Sequence, residues 1–166
     1  MNNLNYSIRP VTYEDKNSVS SIYNYYIENS FAAYPENYLE MDFFQRFKDM
    51  ASGYPFYVVE LQDKSIVGFA FLHSYSPIGC FNRVAEITYF ILPEYTRKGI
   101  GKNLLDTLVN KARENRIEIL LANISSLNHM SINFHEKNGF KECGRFERIG
   151  KKFGTDFDVV WMQKFI

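Results

Sequence analysis

Residues Thr96-Arg-Lys-Gly-Ile-Gly-Lys102 set two glycines one residue apart among three cations, between a β-branched, aromatic run and an amphipathic one. The leading run, from Glu86 through Tyr89, Phe90 and Ile91, stops at Pro93, which cannot donate to a sheet ladder, so it reads as a strand. Behind the turn, Ile100, Leu104, Leu105, Leu108, Val109 and Ala112 recur at helical spacing and form one apolar face. A strand, a glycine turn and a helix in that order leave unpaired main-chain N–H groups at the positive end of a helix dipole, where an anion binds. Gly99 and Gly101 let a ligand approach the main chain closely, and Arg97, Lys98 and Lys102 add positive charge. The chemistry suits a phosphate. It is not a Walker loop, which needs four residues between its glycines and a Lys-Ser/Thr pair, because here Asn103 follows Lys102. It is not the dinucleotide fingerprint either, whose third glycine falls at Leu104.

The elements that must position this turn follow from pattern. Ser7–Pro10 reads as a first strand, and Thr12-x-x-Asp15 as a capping-box-like start for a helix through Val19, Ile22, Tyr23, Tyr26 and Ile27. Pro35 marks a break, and a second helix is predicted over Leu39–Met50 with Phe43, Phe44 and Phe47 inside. Tyr54–Leu61 and Ile66–Leu72 are strands of a hairpin, followed by a loop over Ser74–Asn82. Ile117–Ile124 is the continuous apolar run of a strand buried on both faces, and a short helix over Asn128–Asn138 ends at Gly139. Phe140–Arg148 and Phe157–Lys164 complete the order β-α-α-β-β-β-α-β-α-β-β as an antiparallel pair. No repeat or linker interrupts it, so residues 1–166 are expected to form a single mixed α/β domain.

Lys plus Arg and Asp plus Glu each number 19, so no global field draws the chain to nucleic acid or to an anionic membrane. The two cysteines are too few for a disulfide framework and lack metal-ligand spacing, and no metal is expected. The start, Met-Asn-Asn-Leu-Asn-Tyr, lacks a basic and apolar leader, and no apolar run has membrane-span length; the expected location is the cytoplasm.

The turn resembles the pyrophosphate-binding turn of the GNAT acyltransferase superfamily, Gln/Arg-x-x-Gly-x-Gly/Ala, with Thr96 where Gln or Arg is usual. The order of elements is also that of this superfamily, so the resemblance covers nearly the whole chain. Within it, the phosphinothricin acetyltransferase-like group is the most similar. Ile8-Arg-Pro, Tyr23-Asn-Tyr-Tyr-Ile-Glu-Asn-Ser30, Ala85-Glu86, Asn128-x-x-Ser131-x-x-Phe134-His135-Glu136-x-x-Gly139-Phe140 and Lys152-Phe-Gly-x-x-x-Asp158-Val-x-x-Trp161-Met-Gln163 carry that similarity. It implies a central mixed seven-stranded sheet flanked by about four helices, acetyl-CoA as co-substrate, the amino group of a small amino-acid-like compound as acceptor, and a homodimer.

The resemblance also implies roles for residues. An alkyl amine with a Lys-like pKa near 10 is about 99% or more protonated at pH 7, and an ammonium cannot attack a thioester. Glu86 matches the family's catalytic glutamate and is the expected base, acting directly or through water. His135 matches a histidine expected to serve as acid or second base. Tyr89, Phe90 and Ile91 match the segment that pairs with pantetheine, Arg97, Lys98, Gly99, Ile100, Gly101 and Lys102 match the pyrophosphate turn, and Asn128 matches a CoA-binding Asn that is also a good N-cap. Tyr34, Ile78 and Phe81 are the expected acceptor-side residues. Ile78 stands where an Arg suited to an acceptor carboxylate is usual, and Asp156 where a Trp is usual. His73 and His129 have no such match and read as structural. Two other functions compete: acetylation of protein N-termini or lysines, and a non-catalytic acyl-CoA-binding module.

Overall fold

The structure, a computed structural model, describes residues 4–39 and 43–166. The expected order is observed: β1 (Tyr6–Pro10), α1 (Lys16–Asn29), α2 (Phe43–Met50), β2 (Phe56–Leu61), β3 (Ile66–Ser74), β4 (Val84–Ile91), α3 (Ile100–Glu114), β5 (Ile119–Ser125), α4 (His129–Lys137), β6 (Lys141–Lys152) and β7 (Thr155–Phe165). The Thr12 N–H donates to Asp15 Oδ2 at 2.8 Å, as a capping box requires, but the turn that it opens is a 3-10 turn preceding α1. The second helix begins at Phe43 rather than Leu39; residues 40–42, included in it by the sequence pattern, lie outside the described residues.

Several strands outrun their patterns. β3 extends past Leu72 to Ser74, and β6 extends past Arg148 to Lys152. Apolar periodicity does not register these extensions because, Ile149 apart, their added residues are polar, charged or glycine.

The seven strands form one sheet in the order β1-β2-β3-β4-β5-β7-β6, antiparallel except for β4 and β5. A parallel pair requires a crossover, which α3 supplies. Its apolar face packs Ile100, Leu104, Leu105, Leu108 and Ala112 against one side of the sheet. On the other side α1 and α2 bury Val19, Ile22, Ile27, Phe44 and Phe47 against Val58, Phe69 and Phe71. The pleat therefore sorts β4 by parity: Ala85, Ile87, Tyr89 and Ile91 join the α3 side, and Phe90 joins the α1 side. No described helix is long and apolar enough to cross a membrane.

β4 and β5 pair only over Val84↔Ile119, Ala85↔Leu120 and Glu86↔Leu121. Beyond Glu86, β4 stays with β3 and β5 stays with β7, so a wedge opens in the middle of the sheet.

The loop between α1 and α2 is held from two sides. Buried Asn24 exchanges two hydrogen bonds of 2.9 Å with the main chain of Leu39. Lys152, 0% exposed, donates to the carbonyls of Ile27, Ser30 and Ala33 at 2.6–2.7 Å, placing an ammonium where the dipole of α1 is negative. Replacing Lys152 with Met keeps the aliphatic stem and strands three carbonyls, so Lys152→Met is expected to lower unfolding free energy by about 3 kcal/mol or more. Urea denaturation of both proteins measures it, and a change below about 1 kcal/mol contradicts this anchoring role.

Candidate active site

The basic turn adopts the geometry that its composition requires. Arg97 and Gly99 have φ of +59° and +84°, and Gly99 caps α3 without any side-chain bond to the first-turn amides. No acidic residue stands in that first turn, where one is normally favourable. An uncapped helix start flanked by exposed Arg97 and Lys98 is arranged for an anion from outside the chain. Lys98 lies 5.3 Å from the Tyr95 ring, whereas Lys102 points along the helix to Asp106 at 2.7 Å. Gly101 has an additional reason: a Cβ there meets the Phe134 ring of α4 at 3.3 Å, so its smallness serves helix packing as well as ligand approach.

The wedge exposes main chain. The Leu92 N–H donates to Val67 at 2.9 Å, and the Arg83 carbonyl accepts from Glu118 and Ile119 at 2.9 and 3.2 Å. Main-chain groups alternate sides along a strand, so even-numbered residues of β4 face β3 and odd-numbered ones face β5. Tyr89 and Ile91 thus turn their N–H and C=O groups into the gap. The Tyr26 hydroxyl donates to the Ile91 carbonyl. The Tyr89 amide lies beyond the last β4–β5 pair, on the open edge.

Glu86 sits where the wedge begins. It is half-buried, and Asn123 Nδ2 of β5 donates to its Oε2 at 3.1 Å. Burial raises its carboxyl pKa, and the His73 ring across the strand pair and the Asn123 bond both oppose that shift. His73 is the cross-strand partner of Glu86 in the β3–β4 register. A strand ended at Leu72 leaves His73 in a loop, whereas the observed β3 brings it into register with Glu86.

His135 occupies the opposite side of the sheet. It is 3% exposed, packed against Tyr89 and Phe140, with ring centroids 5.4 and 4.8 Å away. Its Nδ1 donates to the Ser131 carbonyl at 2.7 Å, which fixes the tautomer, and the Tyr89 hydroxyl donates to Nε2 at 2.7 Å. Burial pushes its pKa down to about 4, so the ring is neutral at pH 7. His135, expected to serve as acid or second base, is therefore not an imidazolium at pH 7. Both nitrogens are occupied, the nearest ionisable group is Tyr89, and Glu86 lies across the sheet.

The other expected residues are spread more widely. Asn128 caps α4, accepting from the Ser131 amide at 3.2 Å. Phe90 is packed between Tyr23 and Phe69 on the α1 side. Tyr34 stacks on Phe157 at 5.7 Å, and Phe81 meets Tyr75 edge-on, whereas Ile78 is 61% exposed with its side chain in solvent. Asn123 was missed by sequence reasoning, since a lone Asn inside a strand carries no local signal.

A phosphate-type turn, an open strand edge and a half-buried carboxylate thus stand on adjacent elements of one sheet. The chain matches the acetyltransferase (GNAT) family over residues 19–140. It belongs to that family. It is 29% identical to an L-methionine sulfoximine/L-methionine sulfone acetyltransferase of Pseudomonas aeruginosa, over 95% of this chain and 92% of that protein. A phosphinothricin acetyltransferase from Sinorhizobium meliloti, solved with AcCoA, superposes with a TM-score of 0.90 at 26% identity, covering 97% of this chain and 88% of the other. A ribosomal-protein-alanine N-acetyltransferase from Brucella melitensis gives a TM-score of 0.89 at 31% identity, covering 96% and 99%. The protein is an N-acetyltransferase of the GNAT fold, with acetyl-CoA as co-substrate.

The neutral state of His135 has a thermodynamic consequence. An unfolded histidine takes up a proton below about pH 6.5 while the folded ring resists until about 4, so its stabilising contribution is complete above 6.5 and is lost as pH falls toward 4. Urea midpoints between pH 7 and 4 are expected to show a wild-type loss of up to about 1.4 kcal/mol per pH unit that His135→Gln lacks. An NMR titration placing the His135 ring near 6.5 contradicts the burial argument.

Proposed function

We propose that this enzyme transfers acetyl from acetyl-CoA to the amino group of a small amino-acid-like compound, with Glu86 as the base. The observation that carries the proposal is the half-buried carboxylate at the row where β4 and β5 part, its proton affinity raised by burial. A stronger carboxylate base is better matched to neutral pH. Acetyl-CoA supplies an activated acyl group. The residues fit it: amides of the Arg97–Lys102 turn and the Arg97 and Lys98 side chains would hold the pyrophosphate, the open edge at Tyr89 and Ile91 would hold the pantetheine arm, and the free amide of Asn128 would add a contact beside its capping role. The Tyr89 N–H is the donor available to an oxygen that gains charge. His135 acts through Tyr89, holding its hydroxyl and hence the strand edge in place.

The acceptor is on the α1 side, where Glu86, Tyr34 and the β3–β4 loop lie. Arg9 is bound to Asp15 and Glu60 at 2.8 and 2.7 Å, and Arg83 pairs with Glu118 at 3.2 Å, so neither substitutes freely for the arginine absent at Ile78. An acceptor with a less acidic, more apolar body is favoured. The exposure of Ile78 and the Brucella melitensis relative favour a second reading, acetylation of a peptide N-terminus. A thiol-release assay across free amino acids, their sulfone and sulfoximine analogues, their carboxyl amides and short peptides separates the two. Turnover of peptides alone overturns the small-molecule reading.

We also infer a homodimer. β6 is an exposed sheet edge bearing Phe146 and Ile149, both more than half exposed, and such an edge is normally covered. Sedimentation giving only monomer at micromolar concentration contradicts it.

Glu86→Gln is expected to keep acetyl-CoA affinity and lower turnover by about 10²- to 10⁴-fold, with the loss shrinking at high pH. Wild-type turnover in that variant at pH 7 contradicts the base assignment. Arg97→Ala combined with Lys98→Ala is expected to raise the acetyl-CoA Kd by about tenfold at low salt, less at high salt, without altering the fold. Calorimetry showing unchanged affinity moves the pyrophosphate elsewhere.

A further inference from the structure

Three strands converge at the carboxylate. His73 of β3 stands directly opposite Glu86, and Glu86 stands opposite Leu121 of β5, two residues before Asn123. Side chains directly opposite in an antiparallel pair share a face, with Cβ atoms about 5 Å apart, and a residue two positions along a strand returns to that face. His73, Glu86 and Asn123 therefore form a row across the sheet on the α1 side.

Each flank of the row is tied. Asn123 donates to Glu86 Oε2 at 3.1 Å, leaving Oε1 for an amine or a water. The His73 ring is anchored through Nδ1, which lies 3.1 Å from the Ser74 carbonyl, and is backed by Phe71 with centroids 5.9 Å apart. Nε2 is the nitrogen left over.

The charges are few. Among the described residues, His73 is the titratable group whose field lowers the Glu86 pKa. Asn123 does not titrate. The tyrosines that α1 and its following loop bring to this side, Tyr23, Tyr26 and Tyr34, have phenols pushed up to about 12 by burial and stay neutral.

We propose that His73 is a positioning residue for the Glu86 base, flanking the carboxylate from the β3 side with an imidazole whose protonated form favours the ionised carboxylate, while Asn123 binds it from β5. The inference rests on the reading of Glu86 as base. Burial makes Glu86 a stronger base, yet burial alone also drives the group toward its protonated form, which cannot accept a proton. The imidazole opposes that drift. The row keeps a half-buried carboxylate ionised where an ammonium must lose its proton.

The test titrates the carboxyl itself. In protein labelled with ¹³C at glutamate carboxyls, Glu86→Gln assigns the signal, and wild type, His73→Gln and His73→Arg are titrated alongside the pH dependence of kcat/KM. His73→Gln is expected to raise the Glu86 midpoint by about one pH unit, as removal of an opposite charge at this range does. The acid limb of kcat/KM should move up with it, while acetyl-CoA affinity holds. His73→Arg, which supplies a permanent positive charge, should return the midpoint to the wild-type value or below and shows that the site tolerates substitution. An unchanged midpoint in His73→Gln, with Glu86→Gln inactive, overturns the role of His73 and leaves the base assignment standing. A shifted midpoint with full acetyl transfer in Glu86→Gln overturns both.

Discussion

The parallel pairing of β4 with β5 lasts for three residues and stops at Glu86. Had it run to the ends of both strands, the Tyr89 and Ile91 main-chain groups would face a ladder, and no edge would be open to a ligand. Each half of the sheet instead keeps its own antiparallel partner, β3 for β4 and β7 for β5, so neither half unravels where the two separate. The crossover through α3 then places the basic turn at the mouth of the same wedge, because the turn is the connection that leaves β4.

The pleat assigns chemistry to opposite sides. Even positions of β4 carry Glu86 to the α1 side, and odd positions carry Tyr89 to the α3 side, where His135 meets it. Burial acts on both ionisable groups by disfavouring charge, with opposite results: it raises the Glu86 pKa and lowers that of His135. One becomes a stronger base opposite an imidazole, and the other becomes a fixed neutral acceptor for a tyrosine hydroxyl. Two residues that appear as a catalytic pair in sequence thus lie on opposite sides of the sheet, Glu86 where β4 and β5 part and His135 behind the strand edge.

The α1 side owes its shape to polar anchors as well as to apolar packing. Lys152, from the far end of the sheet, gathers three carbonyls at the end of α1, and Asn24 ties down Leu39. Between these ties lies Tyr34, stacked on Phe157. A buried ammonium is costly to desolvate, and the cost is met here because each of its protons finds a carbonyl.

The linear chain itself determined the elements and the anion turn. The apolar face from Ile100 to Ala112, the stop at Pro93 and the glycines of the turn are local signals, and local steric and hydrogen-bonding rules suffice to read them. The motif around Asn128 and His135 likewise placed a capped helix correctly. Which residues meet across strands was decided only by tertiary structure. His73 and Asn123 flank Glu86 because of register, and register depends on where strands end, which polar residues such as His73 do not announce. The protonation of His135 was equally out of reach, since spacing places a histidine on a helix face while only packing against Tyr89 and Phe140 removes the water that would let it ionise.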